Sequence, residues 1–596
     1  MEENIVNITI NGEPIMAKRH EKVLEVARRA GYDIPTLCFL KGINETANCR
    51  MCVVEADING RPMRGLPASC ALEVAEGMNI RTNTKRVREA VKMNLELILA
   101  NHNRECVSCV RSGNCELQNL CEKMGVEQIR FKGEHRPVTI DNFSPSIVRD
   151  TSKCILCGRC VSTCQKIQSM GVLAYTKRGF KSEIGPAYEY SLNEVDCLLC
   201  GQCVEACPVA ALKEKDDIDA VLEALENKDQ HVVVQVAPAV RAALGECFGL
   251  PIGTDVTGEL YTALHRLGFA RVFDTTFAAD LTIMEEATEL INRITTKGPL
   301  PLITSCSPGW IRFAEFKHPE LLKNISSCKS PQQMMGAVIK SYYADKMQLD
   351  PKKIVSVSIM PCTAKKAEAR RSEMKNDLGL ADVDYVLTTR ELGRLIKRAG
   401  MNLLALPKGK PDPLLSEYSG AGVIFGATGG VMEAALRTAA DILTGQDLQA
   451  IEYQDCRDLQ GVKEGSVTID MKGQPLTINY AIAHSISKAE ELLKRVQNKE
   501  KNYHFIEIMA CPGGCVNGGG QPIVSSIKRD EINPAELRAK VLYQQDKNMA
   551  HRKSHENEEV KALYRDYLGA PNSELAHILL HTHYAKKTRY PLKNKD

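Results

Sequence analysis

The cysteine run C-x2-C-x2-C-x3-C occurs twice in close succession, and it limits the possible folds of this chain more than any other feature. The first run, "CILCGRCVSTC", begins at Cys154, and the second, "CLLCGQCVEACP", begins at Cys197. In small bacterial domains with two [4Fe–4S] clusters, the fourth cysteine of each run ligates the cluster of the other run. The spacing therefore predicts one cluster on Cys154, Cys157, Cys160 and Cys207, and a second cluster on Cys197, Cys200, Cys203 and Cys164.

The other cysteines also favour metal ligation over disulfides. The chain has 596 residues and 23 cysteines, many of them three or four positions apart. Its start, "MEENIVNITI", lacks the basic stretch and apolar core of a secretory signal, so we expect a cytoplasmic protein, in which disulfides are rare. Cysteines this close seldom pair with each other, whereas a compact ligand loop needs them close.

The first 80 residues predict a plant-type [2Fe–2S] domain. Alternating apolar residues flank Asn11-Gly12 in "IVNITINGEPIMA", which indicates a hairpin, and "EKVLEVARRAG" predicts a helix that ends at Gly31. A cysteine, a long gap, a C-x2-C pair and a distant fourth cysteine follow, which suits a [2Fe–2S] cluster on a ferredoxin-like β-grasp loop, with zinc as the alternative. The predicted ligands are Cys38, Cys49, Cys52 and Cys70.

A histidine precedes the next cysteines, in "HNRECVSCVRSGNC". A structural zinc site with three cysteines and one histidine uses the same ligands, and the histidine by itself is also compatible with an ordinary surface residue. Because the neighbouring groups predict iron–sulfur clusters, we favour a [4Fe–4S] cluster with one imidazole ligand. The predicted ligands are His102, Cys106, Cys109 and Cys115.

From residue 231 the sequence predicts an α/β domain. Strand-like runs alternate with helical stretches such as "ADLTIMEEATELINRI", which is typical of buried parallel strands. The expected strands are "HVVVQVAP", "ARVFDT", "PLPLITSC", "KKIVSVSIMPC", "GAGVIFGATGG" and "YHFIEIMACPGGC". Several cysteines stand just after a strand, where open α/β sheets place their ligand crevice.

Three motifs of this region are long and specific: "TSCSPGW" (304–310), "IMPCTAKKAE" (359–368) and "IMACPGGCVNGGGQP" (508–522). Together with the four-cluster arm, they resemble the catalytic subunit of an iron-only ([FeFe]) hydrogenase over essentially the whole chain. The arrangement is similar to multimeric NAD(P)-linked, often electron-bifurcating, members. The resemblance implies that two protons and two electrons are reversibly converted to H2. The implied site is an H-cluster, a [4Fe–4S] cube bridged by a cysteine sulfur to a two-iron unit with CO, cyanide and azadithiolate.

The predicted architecture is multidomain, with α+β and α/β parts. We expect a β-grasp [2Fe–2S] domain at 1–80, a [4Fe–4S] domain with one histidine and three cysteine ligands at 81–145, a two-[4Fe–4S] ferredoxin domain at 146–212, a two-lobed α/β H-cluster domain at 230–532 and a helical small-subunit-like segment at 533–596. The total cofactor expectation is one [2Fe–2S] cluster, three [4Fe–4S] clusters and the H-cluster.

The sequence also bounds the partners. A net charge of +3 without a basic stripe gives no reason to expect nucleic acid, and no apolar run is long enough to span a membrane. No P-loop or G-x-G-x-x-G motif is present, so we expect no nicotinamide site on this chain. The resemblance then implies a flavin- and NAD(P)-binding iron–sulfur subunit, a small [2Fe–2S] subunit and ferredoxin as electron partners, with H2 and protons as substrates.

The resemblance assigns roles around the H-cluster. Three cysteines match ligands of the cube, and the last of them, Cys515, matches the bridge to the two-iron unit. Lys365 matches the lysine that holds a cyanide, and a charge-assisted hydrogen bond makes that role physically reasonable. Ala239 stands where some members have serine. The full set comprises the ligands Cys362, Cys511 and Cys515 and the surrounding residues Lys365, Pro238, Ala239, Gln332, Met360 and Met509. On sequence alone, core packing is the more common role for the two methionines.

The resemblance also implies a proton path. Its members are Arg293, Glu289, Ser326, Glu286 and Cys306, which would deliver protons to the bridging amine. The charged residues of "IMEEATELINRI" lie on one helix face, and the simpler interpretation of that face is solvated surface charge. The remaining cysteines outside the motifs are interpreted as small buried side chains: Cys121, Cys247, Cys328 and Cys456.

Ser307 departs from the family pattern, in which both central positions of "TSCSPGW" are cysteine. Cys306 retains the proton-shuttling position, and Ser307 stands where the fourth cube ligand belongs. We expect Ser307 to ligate as an alkoxide; the alternatives are another ligand, or a shifted loop in which Cys306 ligates. This serine also leaves open a hydrogen sensor or a weakly active variant, whereas the three motifs argue against an electron-transfer subunit without hydrogen chemistry.

Overall fold

The structure is a computed structural model that describes residues 5–446, 452–457, 461–471 and 474–588. Residues 1–4 and 589–596, which belong to the predicted first and last domains, lie outside the described residues. Among the described residues, no helix is both long enough and apolar enough to cross a membrane.

The N-terminal unit is a five-stranded sheet with one helix. In chain order its elements are β1 (Ile5–Ile10), β2 (Glu13–Lys18), α1 (Val23–Arg29), β3 (Glu55–Ile58), β4 (Arg61–Pro62) and β5 (Met78–Arg81). The sheet order is β2-β1-β5-β3-β4, and β1 pairs with β2 through the predicted two-residue turn at Asn11-Gly12. The next two helices are α2 (Lys85–Ala100) and α3 (Glu116–Lys123). The Thr84 hydroxyl caps α2 by accepting a hydrogen bond from the Val87 N–H.

The doubled cysteine runs adopt the same local structure twice. Leu156 and Leu199 have positive φ angles of 55° and 56°, and Gly158 and Gly201 follow with φ of 81° and 74°. Each glycine precedes a short helix, so the sequence repeat is also a backbone repeat. The elements of this unit are β6 (Ile140–Asp141), β7 (Ile147–Asp150), α4 (Arg159–Ser162), β8 (Ala174–Thr176), β9 (Glu183–Gly185), α5 (Gln202–Ala206) and β10 (Leu212–Glu214), followed by the connecting helix α6 (Ile218–Glu226).

Two four-stranded sheets form the region after residue 230. The strands are β11 (His231–Val236), β12 (Arg271–Asp274), β13 (Leu302–Ile303), β14 (Ile354–Met360), β15 (Tyr385–Thr388), β16 (Val462–Met471), β17 (Gln474–His484) and β18 (Phe505–Met509). The first sheet, in the order β12-β11-β14-β15, is parallel throughout. The second sheet has the order β13-β18-β17-β16, in which β16 runs antiparallel to β17 and the other pairs are parallel.

Helices cover these sheets. They are α7 (Pro238–Arg241), α8 (Thr257–Arg266), α9 (Thr275–Thr295), α10 (Pro308–Lys317), α11 (Pro331–Val338), α12 (Ala344–Lys346), α13 (Ala364–Ala369), α14 (Thr389–Arg398), α15 (Gly420–Ile424), α16 (Gly430–Thr444), α17 (Gln454–Arg457), α18 (Ile486–Gln497), α19 (Ser526–Glu531), α20 (Pro534–Asn548), α21 (Glu558–Leu563) and α22 (Glu574–Leu580). The last three confirm the helical character expected after residue 533.

Helix α9 lies between the two sheets. Phe277 and Leu281 pack with side chains of the first sheet, whereas Ile283 and Leu290 pack with side chains of the second. Burial of apolar area on both sides fixes this helix strongly. As a result, polar residues that α9 carries at the junction of the sheets are held away from bulk water.

One predicted strand is wrong. The run "GAGVIFGATGG" forms α15 and the start of α16 instead. The Ser419 hydroxyl caps α15 at the Gly422 N–H, and a Cβ atom on Gly422 would lie 2.7 Å from the Thr276 carbonyl oxygen. A Cβ atom on Gly426 would lie 2.4 Å from Leu542 Cδ1. These glycines therefore allow helices to pack closely against each other. The sequence prediction also omitted three strands, β15, β16 and β17.

Candidate functional site

The cysteines of the doubled runs surround two separate cavities. All 23 cysteines are free thiols. One small cavity is lined by Cys154, Cys157, Cys160 and Cys207. A second small cavity is lined by Cys164, Cys197, Cys200 and Cys203. The fourth cysteine of each run thus lies with the other run, which is the crossed grouping that the spacing predicts.

The four N-terminal cysteines form one group of contacting thiols. Cys38 is hydrogen-bonded to the thiols of Cys49 and Cys70, and these bonds lower the pKa of Cys38 to about 2. Cys52 is also hydrogen-bonded to Cys70. The same hydrogen bonds raise the pKa of Cys49 and Cys70, so it is the mutual contact of the four thiols that fits a cluster site.

His102 is buried and suited to ligation. Its Nδ1 atom is buried without a hydrogen-bond partner in the structure, and burial lowers the pKa of the imidazole to about 4. The side chain is therefore neutral at pH 7, as a ligand must be. Cys106, Cys109 and Cys115 are half-buried. Cys121, interpreted from the sequence as a small buried side chain, lies near this group. Burial, and then the charge of Cys115, raise the pKa of the Cys121 thiol to about 11.

Hydrogen bonds join the cysteine groups in sequence. The Asn44 amide donates to the carbonyl oxygens of Cys38 (2.7 Å) and Cys157 (3.2 Å), so it bridges the N-terminal group and the first cavity. Arg111 donates to the Cys207 carbonyl at 3.3 Å, which joins the His102 group to that same cavity.

The second cavity lies against the α/β region. Thr363, the residue directly after Cys362, donates a hydrogen bond from its hydroxyl to the Leu199 carbonyl oxygen at 2.8 Å. A Cβ atom on Gly309 would lie 3.7 Å from the Cβ of Cys200. The four cysteine groups and the α/β region therefore form one continuous, hydrogen-bonded arrangement.

The central cavity of the α/β region has a volume of about 70 Å³ and lies where β13, β14 and β18 end. It is lined by nine of the predicted residues: Pro238, Ala239, Cys306, Gln332, Met360, Cys362, Lys365, Met509 and Cys515. Cys511 is buried close to Cys362, Cys200 and Cys515, whose charges, after burial itself, raise its pKa. Sequence reasoning missed Thr275, Ala279, Phe425 and Gly426 in this lining. For Phe425 and Gly426, the glycine-rich run "GAGVIFGATGG" was the signal present in the sequence.

Lys365 is oriented by a carboxylate that the sequence did not single out. Its Nζ atom donates to Glu368 Oε2 at 2.9 Å and to the Cys306 carbonyl at 3.2 Å. Glu368 is buried and also accepts hydrogen bonds from Ser330 and Gln332. A single hydrogen-bonded unit thus holds the lysine at the cavity wall.

Cys306 and Ser307 have different surroundings. Cys306 lines the central cavity, where burial and then the charge of Glu286 raise the pKa of its thiol well above the usual value. The Ser307 hydroxyl accepts a hydrogen bond from the Ala510 N–H at 3.2 Å and is buried next to the Cys511 segment. The structure therefore places the serine on the side of the cysteines of the third motif.

The predicted proton-path residues form a row that is half-buried at Arg293 and Glu289 and fully buried at Ser326 and Glu286. Arg293 donates to Glu289 Oε1 at 2.6 Å, and the Ser326 hydroxyl donates to Glu289 Oε2 at 2.7 Å. Ser326 is also hydrogen-bonded to Glu286, which is 2% exposed. Burial and then the charge of Glu289 raise the pKa of Glu286 to about 8. The alternative of a solvated charged helix face is therefore wrong.

Comparison with known proteins agrees with this arrangement. Five family models match: a 2Fe-2S iron–sulfur cluster binding domain (3–85), the NADH-ubiquinone oxidoreductase-G iron–sulfur binding region (92–130), a 4Fe-4S dicluster domain (153–211), the C-terminal domain of the iron only hydrogenase large subunit (230–519) and the iron hydrogenase small subunit (530–587).

Relatives match over nearly the full length. The NADP-reducing hydrogenase subunit HndD of Solidesulfovibrio fructosivorans is 45% identical, over 98% of this chain and 100% of that one. Iron hydrogenase 1 of Clostridium pasteurianum is also 45% identical, over 97% of this chain and 100% of that one. A solved variant of the apo [FeFe]-hydrogenase HydA1 from Chlamydomonas reinhardtii is 42% identical, with a TM-score of 0.56 over 62% of this chain and 99% of that one. This chain therefore belongs to the iron-only, or [FeFe], hydrogenases and is an oxidoreductase that acts on hydrogen.

Proposed function

We propose that this chain is the catalytic subunit that reversibly interconverts H2 with two protons and two electrons. The observation that carries the proposal is the central cavity, where the thiols of Cys306, Cys362 and Cys515 meet the ammonium group of Lys365 in an otherwise mainly apolar lining. A metal cofactor held by thiolates, with anionic ligands facing a lysine, matches the chemistry of that lining.

The residues fit an H-cluster. Cys362, Cys511 and Cys515 would hold the cube, with Cys515 as the bridge to the two-iron unit, and all three are free thiols away from bulk water. When bound, the two-iron unit supplies the site at which protons and electrons combine. Ser307 would complete the cube through its hydroxyl oxygen. Pro238, Ala239, Gln332, Met360 and Met509 would enclose the two-iron unit and exclude water.

The protein's own part in catalysis is proton delivery. Glu286 remains a neutral carboxylic acid at pH 7, because its pKa is raised to about 8, so it donates a proton as well as accepting one. We call Arg293, Glu289, Ser326, Glu286 and Cys306 the proton route. The thiol of Cys306 would hold the proton at the cavity end of the route.

Electrons would pass through the N-terminal clusters. One [2Fe–2S] cluster on the Cys38 group and one [4Fe–4S] cluster on the His102 group would both feed the first cavity of the doubled runs, since Asn44 and Arg111 join both groups to it. The second cavity would pass electrons to the cube, across the contact between Leu199 and Thr363. In this proposal the N-terminal five-stranded sheet belongs to a β-grasp domain. The two four-stranded sheets after residue 230 form the two lobes of the catalytic domain.

The clusters farthest from the central cavity would exchange electrons with redox partners. The HndD relative is named an NADP-reducing hydrogenase subunit, which supports a flavin- and NAD(P)-binding iron–sulfur subunit here, with a small [2Fe–2S] subunit and ferredoxin as further partners. A cytoplasmic location remains a prediction from the sequence. H2 evolution from reduced viologen by the matured protein tests the activity, and no turnover would contradict it. Adding NADH, ferredoxin and candidate partner subunits then tests the coupling, and full-rate H2 formation from reduced ferredoxin alone would contradict obligatory bifurcation.

A further inference from the structure

A second set of buried acid–base groups lies beside the proton route. Glu285 is on α9, one turn before Glu289, and is fully buried. Its hydrogen-bond partners come from the C-terminal segment. Its Oε2 atom accepts from the Asn572 N–H at 2.7 Å and lies 3.0 Å from His581 Nε2, and its Oε1 atom accepts from the Tyr564 hydroxyl. The proton route does not include the Glu285 carboxylate.

His581 connects Glu285 with the surface. Its side chain is only 4% exposed, and its Nδ1 atom lies 2.8 Å from the Ser327 hydroxyl. The His577 ring lies against it, with ring centroids 4.0 Å apart, and His577 is exposed. Backbone pairing fixes the imidazole in place, because the Thr582 N–H donates to the Ser327 carbonyl at 2.7 Å.

Cys328 connects this group with the proton route. Its Sγ atom lies 4.0 Å from Glu289 Oε2, the same oxygen that Ser326 contacts, and the side chain is fully buried. Cys328 is also the antiparallel bridge partner of His581, so it lies between Glu289 and the residue whose imidazole contacts Glu285; burial and then the charge of Glu289 raise the pKa of its thiol. A neutral thiol in that position both donates and accepts a proton.

We propose that His581, Glu285 and Cys328 form a second proton inlet, which joins the proton route at Glu289 in parallel with Arg293. A proton moves from His581 Nε2 to Glu285, and from Glu285 to the Cys328 sulfur as the thiol's own proton moves to Glu289. His581 regains a proton at Nδ1 from the Ser327 hydroxyl, which takes one from solvent in turn, and a flip of the imidazole ring then restores the starting tautomer. The inference rests on the proton route of the proposed function.

The chemistry of the two entrances favours this assignment. A guanidinium group does not release its proton in proteins, and Arg293 also donates to the carbonyl oxygens of Pro299, Asn324 and Ile325. Arg293 therefore orients Glu289 at its own entrance, where protons reach Glu289 from solvent rather than from the guanidinium itself. Histidine is the side chain whose charge changes near physiological pH, which suits an entrance that exchanges protons with water.

Four variants of the matured enzyme test the inlet by viologen-driven H2 evolution across pH: His581→Gln, Arg293→Gln, their double variant and Glu289→Gln. Two parallel inlets predict that each single inlet variant loses a small factor, whereas the double variant loses about tenfold or more and approaches Glu289→Gln. A double variant no slower than Arg293→Gln would overturn the inlet. Full activity of Glu289→Gln would instead overturn the proton route of the proposed function.

Chemical rescue separates proton transfer from a structural role. Added imidazole should restore H2 evolution in His581→Ala, and the matched control His583→Gln, at an exposed position, should keep the wild-type rate with no response. A readout independent of the cofactor is the infrared S–H stretch of Cys328, assigned by its loss in Cys328→Ala. The band should shift in Glu285→Gln. An unshifted band, or no rescue by imidazole, would contradict the inlet.

Discussion

Glu368 Oε2 accepts a 2.9 Å hydrogen bond from Lys365 Nζ, and this pair holds the lysine at the wall of the central cavity. Both side chains are buried, so the position of the ammonium group is set by the carboxylate rather than by water. In the proposed function, this ammonium group holds a cyanide ligand. Glu368, one helical turn after Lys365, therefore controls how precisely the ammonium group is positioned in the cavity.

The Lys365–Glu368 pair predicts that Glu368→Gln impairs activity without unfolding the chain. Glutamine keeps an oxygen acceptor but loses the negative charge, so the lysine is held less precisely. Because small misplacements at a reaction centre are costly, we expect a loss of about tenfold to a hundredfold in H2 evolution. Infrared spectroscopy should show a shifted cyanide band. An unchanged rate and unchanged bands would show that Glu368 does not position Lys365.

The raised pKa of Glu286 predicts the pH dependence of H2 evolution. A carboxyl group with a pKa of about 8 is protonated below that pH and charged above it. Its proton-donating form is therefore present at neutral pH, and the rate should fall as the pH rises through about 8. Glu286→Asp should retain a pH-dependent activity. Glu286→Gln should lose about a hundredfold or more, the usual contribution of a general acid. A pH profile of Glu286→Asp identical to that of Glu286→Gln would contradict this role.

Ser307→Cys tests the proposed oxygen ligand of the cube. A thiolate is a softer donor than an alkoxide, so exchanging them should change the reduction potential and the electron paramagnetic resonance spectrum of the cube. Ser307→Ala is the matched variant that leaves no ligand at this position. If the potential and spectrum are the same in the wild type and in Ser307→Cys, Ser307 does not ligate iron.

His102→Cys tests the imidazole ligand of the second predicted cluster. Replacing a neutral imidazole with a thiolate adds negative charge, so the potential of that cluster should fall while its iron content is kept. His102→Ala should lose the cluster or its normal spectrum. His135→Ala, at an exposed histidine of the same predicted domain, is the control and should behave as the wild type. A potential unaffected by His102→Cys would remove the histidine from the ligand set.

The cysteine groups could be predicted from the sequence because their ligands are local. Each run of three cysteines lies on one turn-and-helix unit, and only the fourth cysteine, such as Cys207 beside Cys154, comes from elsewhere. The strands that end shortly before Cys306, Cys362 and Cys511 were predicted for a similar reason, since each is a buried and mainly apolar run.

Other features depend on contacts between distant segments. Glu368 looks like half of an ordinary surface pair in "AKKAE", and only tertiary packing buries it. The contact between Glu285 and His581 joins residues that are 296 positions apart in the sequence. The glycines of α15 have strand-like neighbours, but their conformation is set by the close approach of Thr276 and Leu542. No local pattern encodes such contacts.

The central claim is that Cys362, Cys511 and Cys515 hold an H-cluster in the cavity beside Lys365. Infrared spectroscopy of the matured protein tests it most directly, because CO and cyanide bound to iron absorb where protein groups do not. The account predicts CO and cyanide bands in the wild type and their loss in Cys515→Ala, with the clusters of the N-terminal arm still present. A matured, active wild-type protein without CO and cyanide bands would contradict the account.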